Sequence, residues 1–120
     1  MHVPILKQGH YLIVTLQSGL SDSDLLDLRT AVVDQVGKAR SRGVIMDVTA
    51  LDVVDSFGCR TLRDIAYMIR MRGASTVIVG VQPEIALSMV QMGWSFGSIA
   101  TALDLEEALA LLQSEAPGRG

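Results

Sequence analysis

Short apolar runs alternate along the chain with longer segments in which apolar residues recur every three or four positions. The short runs are typical of β-strands and the longer period is typical of helices, so the pattern predicts an α/β layered fold. The predicted strands cover residues 5–7, 11–16, 44–48, 76–81 and, as a short strand, about 98–100. A turn at Gly9 joins the first two strands in a hairpin, and the helix-linked strands are expected to run parallel with right-handed crossovers.

Four helices are predicted between and after these strands. Their starts are marked by residues that favour helix N-termini: Ser21, the segment from Asp55 to Gly58, Pro83 and Asp104. Glycines mark the ends of the first three units, at Gly43, Gly73 and Gly93. Apolar stripes on the first two helices would face the sheet: Leu25, Leu28, Val32, Val36 and Ala39, then Leu62, Ile65, Ala66 and Ile69. The predicted fold class is α/β, with a mixed sheet of four to five strands (an N-terminal hairpin, then parallel strands) and about four helices.

Length and composition indicate one globular domain. The 120 residues are 49% apolar and 19% charged, which excludes a disordered chain and allows a core without metals or disulfides. We expect a single domain over residues 1–116 and a flexible tail over 117–120. The net charge of −3 argues against nucleic-acid binding, and the single cysteine fits a reducing compartment. No apolar run reaches the roughly 18 residues of a membrane span, and the start lacks a signal-peptide pattern, so a cytoplasmic protein is expected.

Motifs of the common catalytic sites are absent from the sequence. Ser56 lacks the preceding glycine of a G-x-S-x-G elbow, and neither a P-loop nor a G-x-G-x-x-G turn occurs. The histidines, His2 and His10, lie near the N-terminus, where a frayed end and a turn account for them. Asp55 could serve as the phosphoacceptor of a receiver domain, but the acidic pair for Mg²⁺ and the lysine after the last strand are missing. We therefore expect no enzyme activity, no metal and no cofactor.

Ser56 is the residue best suited to regulation. It follows the strand-like pair Val53 and Val54 and stands where a helix begins, so its hydroxyl is expected near the surface. One interpretation is an ordinary N-cap serine. The other is a phosphoacceptor, because a helix N-terminus offers unpaired N–H groups and partial positive charge to a phosphate. Cys59, just beyond it, is either a buried, inert cysteine or a low-pKa thiolate.

Two further patterns bear on partner binding. Arg60, Arg63 and Arg70 are spaced to form a basic ridge along the second helix, which is either a solvated face or a contact for an acidic partner. The second half of the chain is rich in methionine and contains Trp94 and Phe96. Each methionine is expected in the core more often than at an interface, but so short and apolar a chain also predicts an exposed apolar patch and self-association.

Five sequence segments carry a resemblance to a known family. They are V-P-I-L-K near the start, G-V-I-M-D-V-T before the loop, V-V-D-S-F at the second helix, G-V-Q-P after the third core strand and T-A-L-D-L-E-E-A-L near the end. With this ordered set the chain resembles, over nearly its whole length, the STAS domain family of bacterial anti-sigma-factor antagonists and sulphate-transporter tails. Within the family it is most similar to the RsbS group of stressosome antagonists.

The resemblance implies a non-enzymatic signalling protein. In the RsbS group the serine of the D-S-F element is phosphorylated by a serine-protein kinase, and the matching residue here is Ser56. The unphosphorylated antagonist assembles with RsbR-like paralogues into a stressosome that captures an RsbT-like kinase. Phosphorylation releases the kinase into a stress-signalling pathway, and a serine phosphatase resets the assembly. A homo-oligomer, as a dimer within the large complex, is also implied, with neither nucleic acid nor membrane as a partner.

The chain also departs from part of this family. In the free anti-sigma-factor antagonists a second hydroxyl residue follows D-S, and then glycine and leucine; here Phe57 replaces that hydroxyl and Cys59 replaces the leucine. This favours a scaffold, with a soluble anti-sigma-factor antagonist as the alternative. An enzyme that uses Asp55, Ser56 or Cys59 is the other alternative.

Five residues around Ser56 are expected to bind the partner. Asp55 and Phe57 would shape the recognition surface. Gly58 would let a partner backbone approach closely, because it has no Cβ. Arg60 and Arg63 would add contacts to an acidic partner.

Overall fold

The computed structural model describes residues 3–114, which form a five-stranded mixed sheet flanked by four helices. β1 (Ile5–Gln8) and β2 (Tyr11–Thr15) form an antiparallel hairpin. β3 (Gly43–Asp47), β4 (Ser75–Val79) and β5 (Ala100–Ala102) then add in parallel, in the spatial order β1-β2-β3-β4-β5. The helices are α1 (Asp22–Ala39), α2 (Ser56–Met71), α3 (Pro83–Met92) and α4 (Leu105–Ser114). The predicted fold class is confirmed.

The sheet buries an apolar layer on each face. Side chains alternate along β3, so Val44 and Met46 join one core and Ile45 joins the other. Residues of α1, α2 and α3 fill the first core, and Ala108 and Leu112 of α4 cover the second. The predicted stripes are buried at Leu25, Leu28, Val32, Val36, Leu62, Ile65, Ala66 and Ile69, whereas Ala39 is half-buried.

Side-chain caps fix where α1 and α4 begin. At α1, Ser21 Oγ accepts from the backbone N of Asp24 at 3.0 Å, and Asp24 Oδ2 accepts from the backbone N of Ser21 at 2.9 Å. This reciprocal pair is a capping box, which confirms Ser21 as the N-cap. At α4, Asp104 Oδ1 accepts from the backbone N of Glu107 at 2.9 Å, as predicted. Helix starts that depend on such local hydrogen bonds can be read from sequence.

Several predicted boundaries were wrong, including the end of the third core strand, which stops at Val79 and not at residue 81. α1 ends at Ala39 with Arg40 in the left-handed region (φ 50), and Gly43 begins β3 instead of closing the helix. Val53 and Val54, described above as a strand-like pair, lie in an irregular loop and not in a strand. The last strand is β5, two residues later than predicted, since Gly97 (φ 68) forms a turn there.

The methionines divide between core and surface. Met46 and Met89 are buried, whereas Met68, Met71 and Met92 are exposed, so the core expectation was wrong for those three. Leu87 and Val90 of α3 are also exposed, which gives the predicted exposed apolar surface but leaves self-association a prediction.

Several predictions concern the ends of the chain. His10 lies exposed in the β1–β2 turn, as expected. His2 and the proposed tail at 117–120 lie outside the described residues, so the division into a domain and a tail stays a prediction. Within residues 3–114, no helix has both the length and the apolar character needed to cross a bilayer.

Candidate functional site

The candidate site is the start of α2, which follows an irregular loop after β3. Asp55 is the N-cap: its backbone is extended and its Oδ1 accepts from the backbone N of Gly58 at 2.7 Å. The Asp55 carbonyl also accepts from the backbone N of Cys59 at 3.0 Å. The interpretation of Ser56 as the N-cap was therefore wrong, because the preceding carboxylate occupies that position.

Ser56 is the first residue of α2 and its side chain is exposed. Among residues 3–114 its hydroxyl has no hydrogen-bond partner. The N–H groups at the start of a helix carry partial positive charge, which favours an anion at this position. The hydroxyl is thus accessible to a modifying enzyme and stands where a phosphate is electrostatically favoured.

Phe57 and Gly58 have structural roles inside the chain. Phe57 is half-buried and packs against the first core. Gly58 is buried, and a Cβ there would lie 3.2 Å from Asp55 Oδ1 and 3.6 Å from Val54 Cγ1. The missing Cβ therefore leaves room for the helix cap itself. A close approach of a partner backbone at Gly58 stays a prediction, and its burial opposes that prediction.

A first depression, here called the acidic cavity, lies on the α1 side of this helix start. It measures about 310 Å³ and is bounded by the end of β2, the start of α1 and the loop before α2. Its apolar lining includes Leu16, Leu25, Leu51 and Leu62. Asp22, Asp52 and Asp55 also line it, and no lysine or arginine among residues 3–114 does.

A second depression, here called the basic depression, lies on the other side of α2. It measures about 360 Å³ and is lined by Ser56, Cys59, Arg60, Arg63 and Trp94. Arg63 Nη1 donates to the carbonyl of Ser95 at 3.1 Å, which ties the helix to the segment after α3. Ser56 therefore shares a concave surface with two arginines of its own helix.

The predicted basic ridge is present along α2. Arg60, Arg63 and Arg70 are all exposed. Arg63 lines both the basic depression and a neighbouring depression that also contains Arg70. The ridge therefore follows the helix away from Ser56, along the side that faces the segment after α3.

Cys59 is buried within this arrangement. Its Sγ lies 3.5 Å from the carbonyl of Ser95, and the side chain belongs to the first core. Burial raises the pKa of the Cys59 thiol, against a smaller lowering by the nearby Arg63 guanidinium. The thiol is therefore protonated at neutral pH, which opposes the interpretation as a reactive thiolate.

The described residues contain no cluster with the composition of a metal site. Among residues 3–114, no group of three or more His, Cys, Asp and Glu side chains could hold a metal ion. The three carboxylates of the acidic cavity thus form no ligand set of that kind. Trp94 and the Ser95 carbonyl, both part of the arrangement around Ser56, were not predicted as site residues, because they are distant in sequence and carry no motif.

Comparisons with known proteins agree on one family. The model of the STAS domain matches residues 2–108. A serine-to-glutamate variant of RsbS from Moorella thermoacetica is 30% identical, with a TM-score of 0.82 over 96% of this chain and 97% of that chain. A chain from the solved architecture of the stressosome, described as a signal integration and transduction hub, is 28% identical, with a TM-score of 0.77 over 95% of this chain and 99% of that one.

A curated relative points to the same group of proteins. The RsbT co-antagonist protein RsbRA of Bacillus subtilis (strain 168) is 28% identical over 78 residues, which are 65% of this chain and 28% of that protein. The match therefore spans less than a third of the length of this relative, and a further co-antagonist, RsbRD, matches over a similar share.

Proposed function

This chain belongs to the STAS domain family, and from that premise we propose that it is a non-enzymatic stressosome antagonist. It sequesters a serine-protein kinase while Ser56 is unmodified and releases the kinase when Ser56 is phosphorylated, and so controls a bacterial stress-signalling pathway. The similarity to RsbS over 96% of the chain supports the antagonist role. The observation that carries the switch is the exposed Ser56 hydroxyl, with no intramolecular hydrogen bond among residues 3–114, at the start of α2.

The proposed reaction takes place on this chain but is catalysed by the partner. The γ-phosphoryl group passes from ATP to Ser56 Oγ, the hydroxyl proton goes to a base of the kinase, and ADP leaves. The product carries about −1.5 to −2 charges at neutral pH. Because Asp55 lies beside Ser56, this added charge creates local repulsion against any partner surface that fitted the neutral hydroxyl.

The helix cap explains how such a switch can work without unfolding. Asp55, rather than Ser56, accepts the hydrogen bond from Gly58 N, so modification of Ser56 removes no capping interaction. The phosphate adds negative charge where the helix dipole favours it. Phosphorylation would thus change the recognition surface of Asp55, Phe57, Arg60 and Arg63 while α2 stays in place.

The proposed partners follow from the relatives. RsbRA is named as an RsbT co-antagonist, so we propose assembly of this chain with RsbR-like STAS paralogues around an RsbT-like kinase, with a second copy of this chain in the same complex. A serine phosphatase would reset the modified residue. The role places the protein in the cytoplasm, where the kinase meets ATP.

Mass spectrometry after incubation with the candidate kinase and ATP tests the proposal directly. We expect one phosphate on the peptide containing Ser56, and none in Ser56→Ala. Ser23→Ala is a matched control, because Ser23 is an exposed serine in the first turn of α1 and should leave phosphorylation unchanged. Phosphate on another residue, with Ser56 unmodified, would refute the switch.

The size of the complex separates the scaffold from a soluble anti-sigma-factor antagonist. Co-assembly with STAS paralogues into a particle far larger than a kinase heterodimer supports the scaffold, whereas a stable small complex with one kinase opposes it. Purified chain given Mg-ATP or simple esters should show no turnover. Turnover that depends on Asp55, Ser56 or Cys59 would overturn the non-enzymatic assignment.

A further inference from the structure

The basic depression contains two positive charges beside the proposed phosphorylation site. Arg60 lies four positions after Ser56 and Arg63 lies seven positions after it, all on α2. Residues four apart on a helix have Cβ atoms about 6 Å from each other, and seven residues correspond to about 10 Å along the axis. Long helical side chains lean toward the helix N-terminus, which here is the direction of Ser56.

We infer that Arg60 and Arg63 form an intramolecular binding site for the phosphate on Ser56. This inference rests on the proposed function, since it takes Ser56 as the modified residue. Arginine suits the role because its planar guanidinium can donate two parallel hydrogen bonds to phosphate oxygens. The shared lining of one depression of about 360 Å³ brings the three side chains to the same surface.

Other contacts around the depression favour the arrangement. Arg63 uses Nη1 for the Ser95 carbonyl, which holds the side chain in place while leaving further N–H donors for a phosphate. Trp94 forms part of the wall of the depression, beside the Ser95 carbonyl that accepts from Arg63. Residues 94–98 are Trp-Ser-Phe-Gly-Ser and add no charge.

Of the described residues that line the depression, Arg60 and Arg63 carry charge, and Asp55 precedes Ser56 in the chain. Arg60, Arg63 and the helix N-terminus favour the dianion, and the Asp55 carboxylate opposes it. Because Asp55 is engaged by Gly58 N at 2.7 Å, its charge is partly compensated. We therefore expect the attraction of Arg60 and Arg63 for the phosphate to exceed the repulsion by Asp55.

This site gives the switch a second component. In the unmodified protein, Arg60 and Arg63 are available to an acidic partner. Once Ser56 is phosphorylated, the same guanidinium groups bind the new phosphate and are withdrawn from that partner. Phosphorylation would thus weaken capture both by adding repulsion and by removing attraction.

A phosphorus NMR titration of protein with phosphoserine inserted at position 56 during translation tests the inference without the kinase. We expect Arg60→Gln and Arg63→Gln each to move the phosphate titration midpoint to higher pH by about half a pH unit, because each removes a group that favours the dianion. Arg60→Lys should restore part of the effect at that position.

Arg70→Gln provides the matched control. It removes the same charge from the same helix, but Arg70 lies fourteen positions after Ser56, about 21 Å along the axis. We expect the phosphate of the Arg70→Gln variant to titrate with the same midpoint as in the parent. If Arg60→Gln and Arg63→Gln both titrate like Arg70→Gln, the phosphate site does not exist. A failure of the kinase to modify Ser56 would instead refute the proposed function, and mass spectrometry detects that separately.

Discussion

The two sides of the α2 N-terminus differ in what supports them. The acidic cavity is built on core residues such as Leu25 and Leu62, both buried, and borders the cap between Asp55 and Gly58. The basic depression is built mainly on exposed side chains of α2, with the segment after α3 as its far wall. One side therefore depends on packing and holds the helix in place, and the other depends on charge.

Under the proposed function, this difference separates residues that stabilise the fold from adjacent residues that take part in the switch. Substitutions on the acidic side should be measured as changes in the free energy of unfolding. Substitutions of the exposed arginines on the basic side, Arg60 and Arg63, should change phosphorylation or partner binding and leave folding nearly intact. A variant on the acidic side that changes only partner binding, or an arginine variant that changes only the free energy of unfolding, would contradict this distinction.

Substitutions at Ser56 should have the largest effect. We expect Ser56→Ala to hold the kinase whether or not ATP is present, because no phosphate can be added. Ser56→Asp should weaken capture only in part, since aspartate carries less charge than phosphate. Co-elution with the kinase on a sizing column measures both, and if both variants bind the kinase like the parent, the switch lies elsewhere.

A substitution at the floor of the acidic cavity should have the next largest effect. Leu62→Ala removes a side chain that is 1% exposed, and we expect it to lower the free energy of unfolding by about 2–5 kcal/mol. Urea denaturation measures the loss. Arg70→Ala, on the exposed face of the same helix, should change stability by less than about 0.5 kcal/mol. Equal losses in the two variants would contradict the packing argument.

Removal of the Asp55 cap of α2 should have a smaller effect on the free energy of unfolding. Asp55→Ala removes the hydrogen bond to Gly58 N and should cost about 1 kcal/mol of unfolding free energy. Asp55→Asn keeps an acceptor of similar shape and should cost much less, because asparagine is an equally good N-cap. If the two variants lose the same stability, charge rather than capping explains the role of Asp55.

Ionisation of the Cys59 thiol should give the smallest effect, and this contribution to stability changes only at alkaline pH. Because burial raises the pKa of the Cys59 thiol, the unfolded chain ionises first as pH rises. The contribution of this thiol to stability is therefore fully present below the ordinary thiol pKa of about 8.5 and is lost as pH rises through the higher folded value. The difference in unfolding free energy between the parent and Cys59→Ala should therefore fall over that pH range. A difference that stays constant with pH would contradict the burial argument.

Local chemistry explains which parts of this molecule could be predicted. The capping box at Ser21 and the stripe from Leu62 to Ile69 depend on neighbours within a few positions, and both predictions were confirmed. Val53 and Val54 have strand-forming side chains, but they lie in an irregular loop and pair with none of the described strands. Sequence gives the preference of a segment, whereas the sheet decides whether that preference can be met.

The candidate site also has parts that local sequence predicts and parts that only the fold brings together. Ser56 at a helix start and the arginine ridge followed from spacing along one helix. The acidic cavity did not, because Asp22 begins α1 and Asp52 lies in the loop before α2, and the two line one cavity only after folding. The role of Ser95 was hidden for the same reason, since a backbone carbonyl that accepts from Arg63 leaves no trace in the type of its residue.

The division of labour between Asp55 and Ser56 has a consequence for turnover. Because the Asp55 carboxylate caps the helix, the proposed addition of phosphate to Ser56, and its removal, would break no capping hydrogen bond. The same molecule could therefore serve through many rounds of stress and recovery, limited only by how fast the two opposing enzymes work.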